Sequence, residues 1–210
     1  RGTGCTKPVF FNGWGGRLKA VVDSSADGSS HGWYPTGLVS GSGIGSDCLG
    51  MVDRHPTAGD PVLDGTPKMV YEFDAADTVN GVLYPAMART FRSHGIQLAT
   101  QFQYDVTECA SHNAHWQTHY LNLIYTPQRA LAMMIAAEAF RRLPRGGEYG
   151  RHPESDRFDC FRVDHPTGVA EMLANEKFLY SASTNSRPPE LSSLTLVAGA
   201  GSSSVVEYEG

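Results

Sequence analysis

The chain has no basic excess, no long apolar run and no closely spaced cysteine pair, and each lack closes off a class of function. Its 210 residues carry a net charge of -5 and a pI near 5.9, so it has no electrostatic footprint for nucleic acid or an anionic membrane. No apolar stretch reaches the ~18 residues that a membrane span requires. Cys5, Cys48, Cys109 and Cys160 stand far apart, which excludes a zinc ribbon or a thioredoxin-type motif. They read as free thiols, with one disulfide as the alternative. An initiating Met and a leader are missing too, and the chain stops in the strand-like Val205-Val206-Glu207-Tyr208. Both ends read as cut, so a piece of a longer protein is expected. The missing signals then say little about compartment.

At 40% hydrophobic content the chain can build one large domain or one and a half. Its first sixty residues are rich in Gly, Ser, Asp and Pro, with short apolar islands. Pro8-Val9-Phe10-Phe11-Asn12-Gly13-Trp14 reads as a short buried strand ending in a glycine turn. Leu18-Lys19-Ala20-Val21-Val22 suits either a helical turn or a strand. His31-Gly32-Trp33-Tyr34-Pro35-Thr36-Gly37 holds too much Gly and Pro for a regular element. Residues 40–66 read as one long loop, of a size that is usually functional or mobile. Within it, Gly41-Ser42-Gly43-Ile44-Gly45-Ser46 is no phosphate loop, because it opens no helix and lacks the Lys-Ser/Thr ending.

From Lys68 the pattern sharpens. Residues 69–73 form a strand, and Asp74 or Asp77 can cap a helix through Val79, Leu83, Met87 and Phe91 that stops at Gly95. Residues 96–104 are the next strand. A polar loop leads to a helical region over about 116–142, broken at Thr126-Pro127 because a proline disfavours helix in the residue before it. Its second half carries Leu131, Met134, Ile135 and Ala139 on one face. Strands alternating with helices at this spacing predict βαβ units and a parallel sheet. After Pro144-Arg145-Gly146-Gly147 the texture changes to short apolar runs at 158–163, 177–183, 194–198 and 205–208. This predicts an all-β module of which the first strands are present, with residues 1–146 as one unit and 147–210 as the next.

Glu72 carries the functional reading. It sits inside the apolar run Met69-Val70-Tyr71-Glu72-Phe73, just before a helix, where an ionised carboxylate is costly without partners or chemistry. The ordinary alternative is a structural carboxylate paired with Arg17 or Arg89, or a helix cap. Tyr71 alternates with Glu72 and is expected on the opposite face, against helices. Asp74 and Asp77 read as caps. Trp14, Trp33, Tyr34, Tyr71, Tyr104 and Trp116 are flat rings of the kind that stack on sugar C–H faces, core packing being the usual fate of such rings. Trp33-Tyr34, in a Gly/Pro stretch, is hard to bury in regular structure. His112, His115 and His119 fall on one helical face as metal ligands would. That segment lacks a glutamate base and reads better as an exposed or cleft-lining helix start, so no metal is assigned. His31 and His55 read as surface-loop residues.

Phe11-Asn12-Gly13-Trp14, Gly32-Trp33-Tyr34-Pro35-Thr36-Gly37, Val70-Tyr71-Glu72-Phe73-Asp74-Ala75-Ala76-Asp77, Tyr84-Pro85-Ala86-Met87-Ala88-Arg89 and Ala99-Thr100-Gln101-Phe102-Gln103-Tyr104-Asp105 occur in that order. Together they resemble the second half of a (β/α)8-barrel glycoside hydrolase of the retaining, clan A kind, followed by a β-sandwich. The resemblance covers most of residues 8–143. It implies an α/β fold made of the last strand–helix units of such a barrel, with Glu72 as nucleophile at the end of the seventh strand and residues 102–105 closing the eighth. The acid/base Glu of the fourth strand has no counterpart here, whereas retention needs two carboxyl groups roughly 5–5.5 Å apart. The expected activity is therefore an O-glycosidase by double displacement, inactive as this piece alone. Its partner would be an oligo- or polysaccharide, contacted by Asn12, Trp14, Trp33, Tyr34, Gln101, Gln103, Tyr104 and Asp105, with no cofactor, nucleic acid or membrane. The full-length protein is expected to be secreted or periplasmic. The competing classes are a non-catalytic carbohydrate-binding or scaffold protein and a hydrolase built on a histidine-held metal.

Overall fold

In the computed structural model, residues 4, 6–12, 17–37, 43–78, 80–110, 112, 121–188 and 190–201 are described. The first part contains β1 (Phe10–Asn12), α1 (Leu18–Asp23), β2 (Gly28–Trp33), α2 (Leu49–Val52), a 3-10 turn (Pro61–Leu63), β3 (Lys68–Phe73), α3 (Leu83–Ser93), β4 (Leu98–Gln101), α4 (Thr107–Ala110) and α5 (Pro127–Arg142). Its four strands pair in parallel in chain order, β1-β2-β3-β4. Strands β5 (Arg157–Phe158), β6 (Phe161–Asp164), β7 (Val169–Leu173), β8 (Lys177–Tyr180) and β9 (Leu196–Gly199) follow. They form a mixed sheet, antiparallel except that β9 runs parallel to β8. The fold is α/β with a four-strand parallel sheet and a separate C-terminal sheet. No described helix is long and apolar enough to cross a membrane.

Cross-strand register decides which face each side chain takes, because partners in register share a face. His31 lies beside Val70 and Trp33 beside Phe73, and Trp33, Val70 and Phe73 join the core with residues of α2, α3 and α5. The row Asn12, Ser30, Met69 and Leu98 lies on the other face, where Asn12 is exposed and Leu98 is 51% exposed. The same core continues through Phe158, Phe161, Val163, Ala170, Met172 and Leu179 of the second sheet. Ion pairs of Glu138 with Lys177 and of Arg142 with Glu176 tie α5 to that sheet.

Several expectations change here. β1 is a partly exposed edge strand rather than a buried one, and residues 18–23 settle as helix. His31, Gly32 and Trp33 belong to β2, an inner strand, despite their glycine. The loop between β2 and β3 is no bare connection: α2 and the 3-10 turn bury Leu49, Val52 and Leu63. α3 starts at Leu83 with Val82 as its cap residue, so neither Asp74 nor Asp77 caps it. It ends where expected, Gly95 taking φ +74. Pro127 stands in the first turn of α5, where its missing N–H costs nothing. Leu131, Ile135 and Ala139 of α5 are buried, but Met134 is exposed. Val79, Trp116 and the runs 38–42, 113–120 and 202–210 lie outside the described residues. Cys48, Cys109 and Cys160 are free thiols.

Candidate functional site

Parallel pairing brings the C-terminal ends of β1 to β4 to one edge of the sheet, so Asn12, Trp33, Glu72, Phe73 and Gln101 gather there. Chemistry in parallel α/β sheets is usually carried at that edge. Glu72 is half-buried. Two tyrosines address it. Tyr71 donates from its hydroxyl to Glu72 Oε1 at 3.0 Å. Tyr34, just past the end of β2, has its pKa raised by burial, by the negative charges of Glu72 and Asp74, by Tyr71, and by a hydrogen bond with Glu72. It therefore stays a neutral donor at any physiological pH.

Strict alternation from Val70, which joins the helix-side core, would have sent Tyr71 to the open face and Glu72 to the helix side. Instead the register shifts: His31 pairs with Val70, but the next residue, Gly32, pairs with Glu72. On the other side Val70 and Phe73 span three steps while Ala99 and Gln101 span two. β3 thus holds one more residue than either neighbour, a bulge at Tyr71 that places its hydroxyl beside the carboxylate it precedes.

Asp74 is fully buried and is neither a cap nor open to a substrate. Its Oδ1 accepts from Ala75 N at 2.8 Å and from the Tyr84 hydroxyl at 2.6 Å. Gln101 Nε2 at 3.5 Å and Arg129 Nη2 at 3.4 Å lie at the limit of contact. Arg129 also donates to the Tyr84 hydroxyl at 2.7 Å. Burial opposes the charge of Arg129, but Tyr84 and Asp74 outweigh it and hold its pKa above the ordinary arginine value. Arg89, a possible partner for Glu72, is instead committed to Asp53 and the Ser155 carbonyl.

The polar residues beyond β4 hold one another. Gln101 Oε1 accepts from Gln103 N, Gln103 Nε2 donates to Asp105 Oδ1 at 2.8 Å, and Asn122 Nδ2 donates to the Asp105 carbonyl. Gln101, Gln103 and Asp105 therefore fix the loop after β4. Trp33 is only 5% exposed, with its ring 4.7 Å from His55 and 5.5 Å from Phe91. Burial takes it out of the set of stacking platforms. Tyr104 is exposed and Tyr34 half-buried against Phe102 at 6.2 Å. Trp14, His115 and His119 fall outside the described residues, and His112 is exposed. Among the described residues no cluster has the makings of a metal site.

His31 and His55, expected at the surface, are buried side by side at 5.6 Å. Arg129, Tyr84, Asn122 and Thr100 were not singled out by sequence, since a lone polar residue gives no signal of its partners. A cavity of about 480 Å³ lies between α3 and residues 146–151 and contains none of the strand-end residues. Comparison with protein-family models, with curated proteins and with solved structures finds no match to this chain.

Proposed function

We propose that these residues belong to a retaining glycoside hydrolase, β1 to β4 with their helices serving as the last four units of a (β/α)8 barrel and the second sheet as the start of a β-sandwich. The observation that carries this reading is Glu72: a carboxylate at the C-terminal edge of a parallel sheet, on a bulged strand, with two tyrosine hydroxyls directed at it. Four parallel strands paired in chain order are what consecutive barrel units require. The unit boundary near residue 146 belongs to this reading as well.

In the mechanism, Glu72 attacks the anomeric carbon as the glycosidic bond breaks, forming a glycosyl ester. A second carboxylic acid protonates the leaving oxygen and then takes a proton from the water that hydrolyses the ester. Hydroxyl donors keep the nucleophile oriented while its charge is consumed. Asp74 is not that second acid, because it is buried against Tyr84 and Arg129. The resemblance assigns the acid/base to a strand without counterpart here, so the 210 residues alone should show little or no turnover. Asn12, Tyr34 and Tyr104 remain at or beside the edge as sugar contacts; the substrate class is an oligo- or polysaccharide.

The test is made in a protein carrying the whole barrel. Glu72→Gln keeps shape and hydrogen bonding but removes the nucleophile, so sugar binding should persist while turnover falls by several orders of magnitude. Azide should partly restore Glu72→Ala on activated substrates and yield a product of inverted configuration. Near wild-type turnover in Glu72→Gln would end the reading. So would loss of stability together with activity and no azide rescue, which is how a structural carboxylate or a non-catalytic binding protein behaves.

A further inference from the structure

The bulge in β3 puts Tyr71 at the register shift of both neighbouring ladders, and such an extra residue needs something to hold it against a slip back to regular pairing. The Tyr71 carbonyl has a side-chain partner: Thr100 of β4 donates its hydroxyl to it. Thr100 lies between Ala99 and Gln101, which pair with Val70 and Phe73 on either side of the extra residue. Its hydroxyl thus reaches β3 at the register shift. From the same bulged residue the Tyr71 hydroxyl reaches Glu72 Oε1.

We infer that Thr100 and Tyr71 are positioning residues: Thr100 pins the bulge through the Tyr71 carbonyl, and Tyr71 holds the Glu72 carboxylate in the direction the strand end faces. The inference rests on the reading of Glu72 as the reacting carboxylate, and it adds what aims it. Val or Ile, better strand formers than Thr in packing terms, would fill the space at position 100 but could not donate. A β3 continuing in regular register from Val70 would turn Glu72 to the helix face and part it from the Tyr71 hydroxyl. Bulges near active sites commonly re-aim a side chain in this way.

The test needs no substrate. In the 210-residue chain labelled with carboxyl-carbon-13 glutamate, the Glu72 signal is the one lost in Glu72→Gln. A carboxylate that loses a hydrogen-bond donor changes its electron distribution, so this signal is expected to move in Tyr71→Phe. It is expected to move also in Thr100→Val, where Tyr71 is intact but the bulge is unpinned, and to return to its wild-type position in Thr100→Ser, which restores the hydroxyl. A Glu72 signal at its wild-type position in both Tyr71→Phe and Thr100→Val overturns the inference, whatever those variants do to thermal stability. So does a Thr100→Ser variant that behaves like Thr100→Val. Because the signal is read without turnover, these outcomes are separate from those of the Glu72→Gln and azide experiments on the nucleophile.

Discussion

Burial keeps the imidazoles of His31 and His55 neutral, and this makes them two residues through which pH acts on the fold. Burial is the main cause in both, lowering His31 from 6.5 to about 4 and His55 to about 3, and charge repulsion adds to it: from Lys68 in both, and for His55 also from His31 and His94 when those rings are protonated. The His55 Nδ1 accepts from Thr57 N and Ala58 N, so its proton is on Nε2, which has no hydrogen-bond partner among the described residues. Above pH 6.5 both rings are neutral folded and unfolded, and they cost nothing. Below it the unfolded chain takes up protons that the folded one does not. Stability should then fall, by about 1.4 kcal/mol per pH unit for each histidine at most, until the folded values near 4 and 3 are reached. Asn can present an oxygen where His55 Nδ1 accepts, so His55→Asn should flatten the slope of unfolding free energy between pH 6.5 and 4. Denaturant titrations at several pH values measure it, and an unchanged slope would count against the burial argument. Neither ring was legible as buried, since histidine beside glycine reads as loop; what decides is that β2 turns position 31 to the same face as Trp33.

Elements with strong local periods were legible, and those whose character is imposed by neighbours were not. β3, β4, α3 and the second half of the long helical region follow from apolar spacing alone. β2 does not, because Gly28-Ser29-Ser30-His31-Gly32-Trp33 lacks the β-branched residues of a usual strand. Its small side chains answer to packing: a Cβ at Gly28 would stand 2.5 Å from the Pro67 carbonyl oxygen and 2.6 Å from the Phe10 ring. The carbonyl is backbone and cannot step aside as a side-chain tip could. Gly28→Ala should therefore destabilise by about 1–3 kcal/mol, read as a lower denaturation midpoint, and a variant as stable as wild type would show that β1 and β2 are held more loosely. β7 was missed for the opposite reason: Val169-Ala170-Glu171-Met172-Leu173 contains good helix formers, and only pairing between β6 and β8 makes it a strand. The bulge in β3 is the third case. Sequence placed Glu72 at a strand end, but a single added residue after Val70 changes the face that Glu72 takes, and no local pattern announces it.

At the scale of the whole molecule, the two sheets share a core that the change of texture near residue 146 does not reveal. α3 and α5 lie between them, with the parallel sheet and α2 on one side and β6 to β9 on the other. A chain ending at residue 146 would lose Phe158, Phe161, Val163, Met172 and Leu179, all buried. Burial of one large apolar side chain contributes about 1.5–3 kcal/mol, so together they match the roughly 5–15 kcal/mol by which a domain is stable. The parallel sheet brings a second difficulty. Such sheets are normally covered on both faces, whereas Leu98 and Asn12 face outward on the side away from the helices, and β1 and β4 are the edge strands of the sheet among the described residues. Sheet edges and bare apolar surface favour association when nothing covers them. Residues 1–146 alone are therefore expected to be marginally folded or to associate, losing a sharp thermal transition and sedimenting as more than a monomer. A monomeric chain of residues 1–146 with one cooperative unfolding transition would mean that the parallel sheet and its helices form a complete domain, and the barrel reading of β1 to β4 would fall with it.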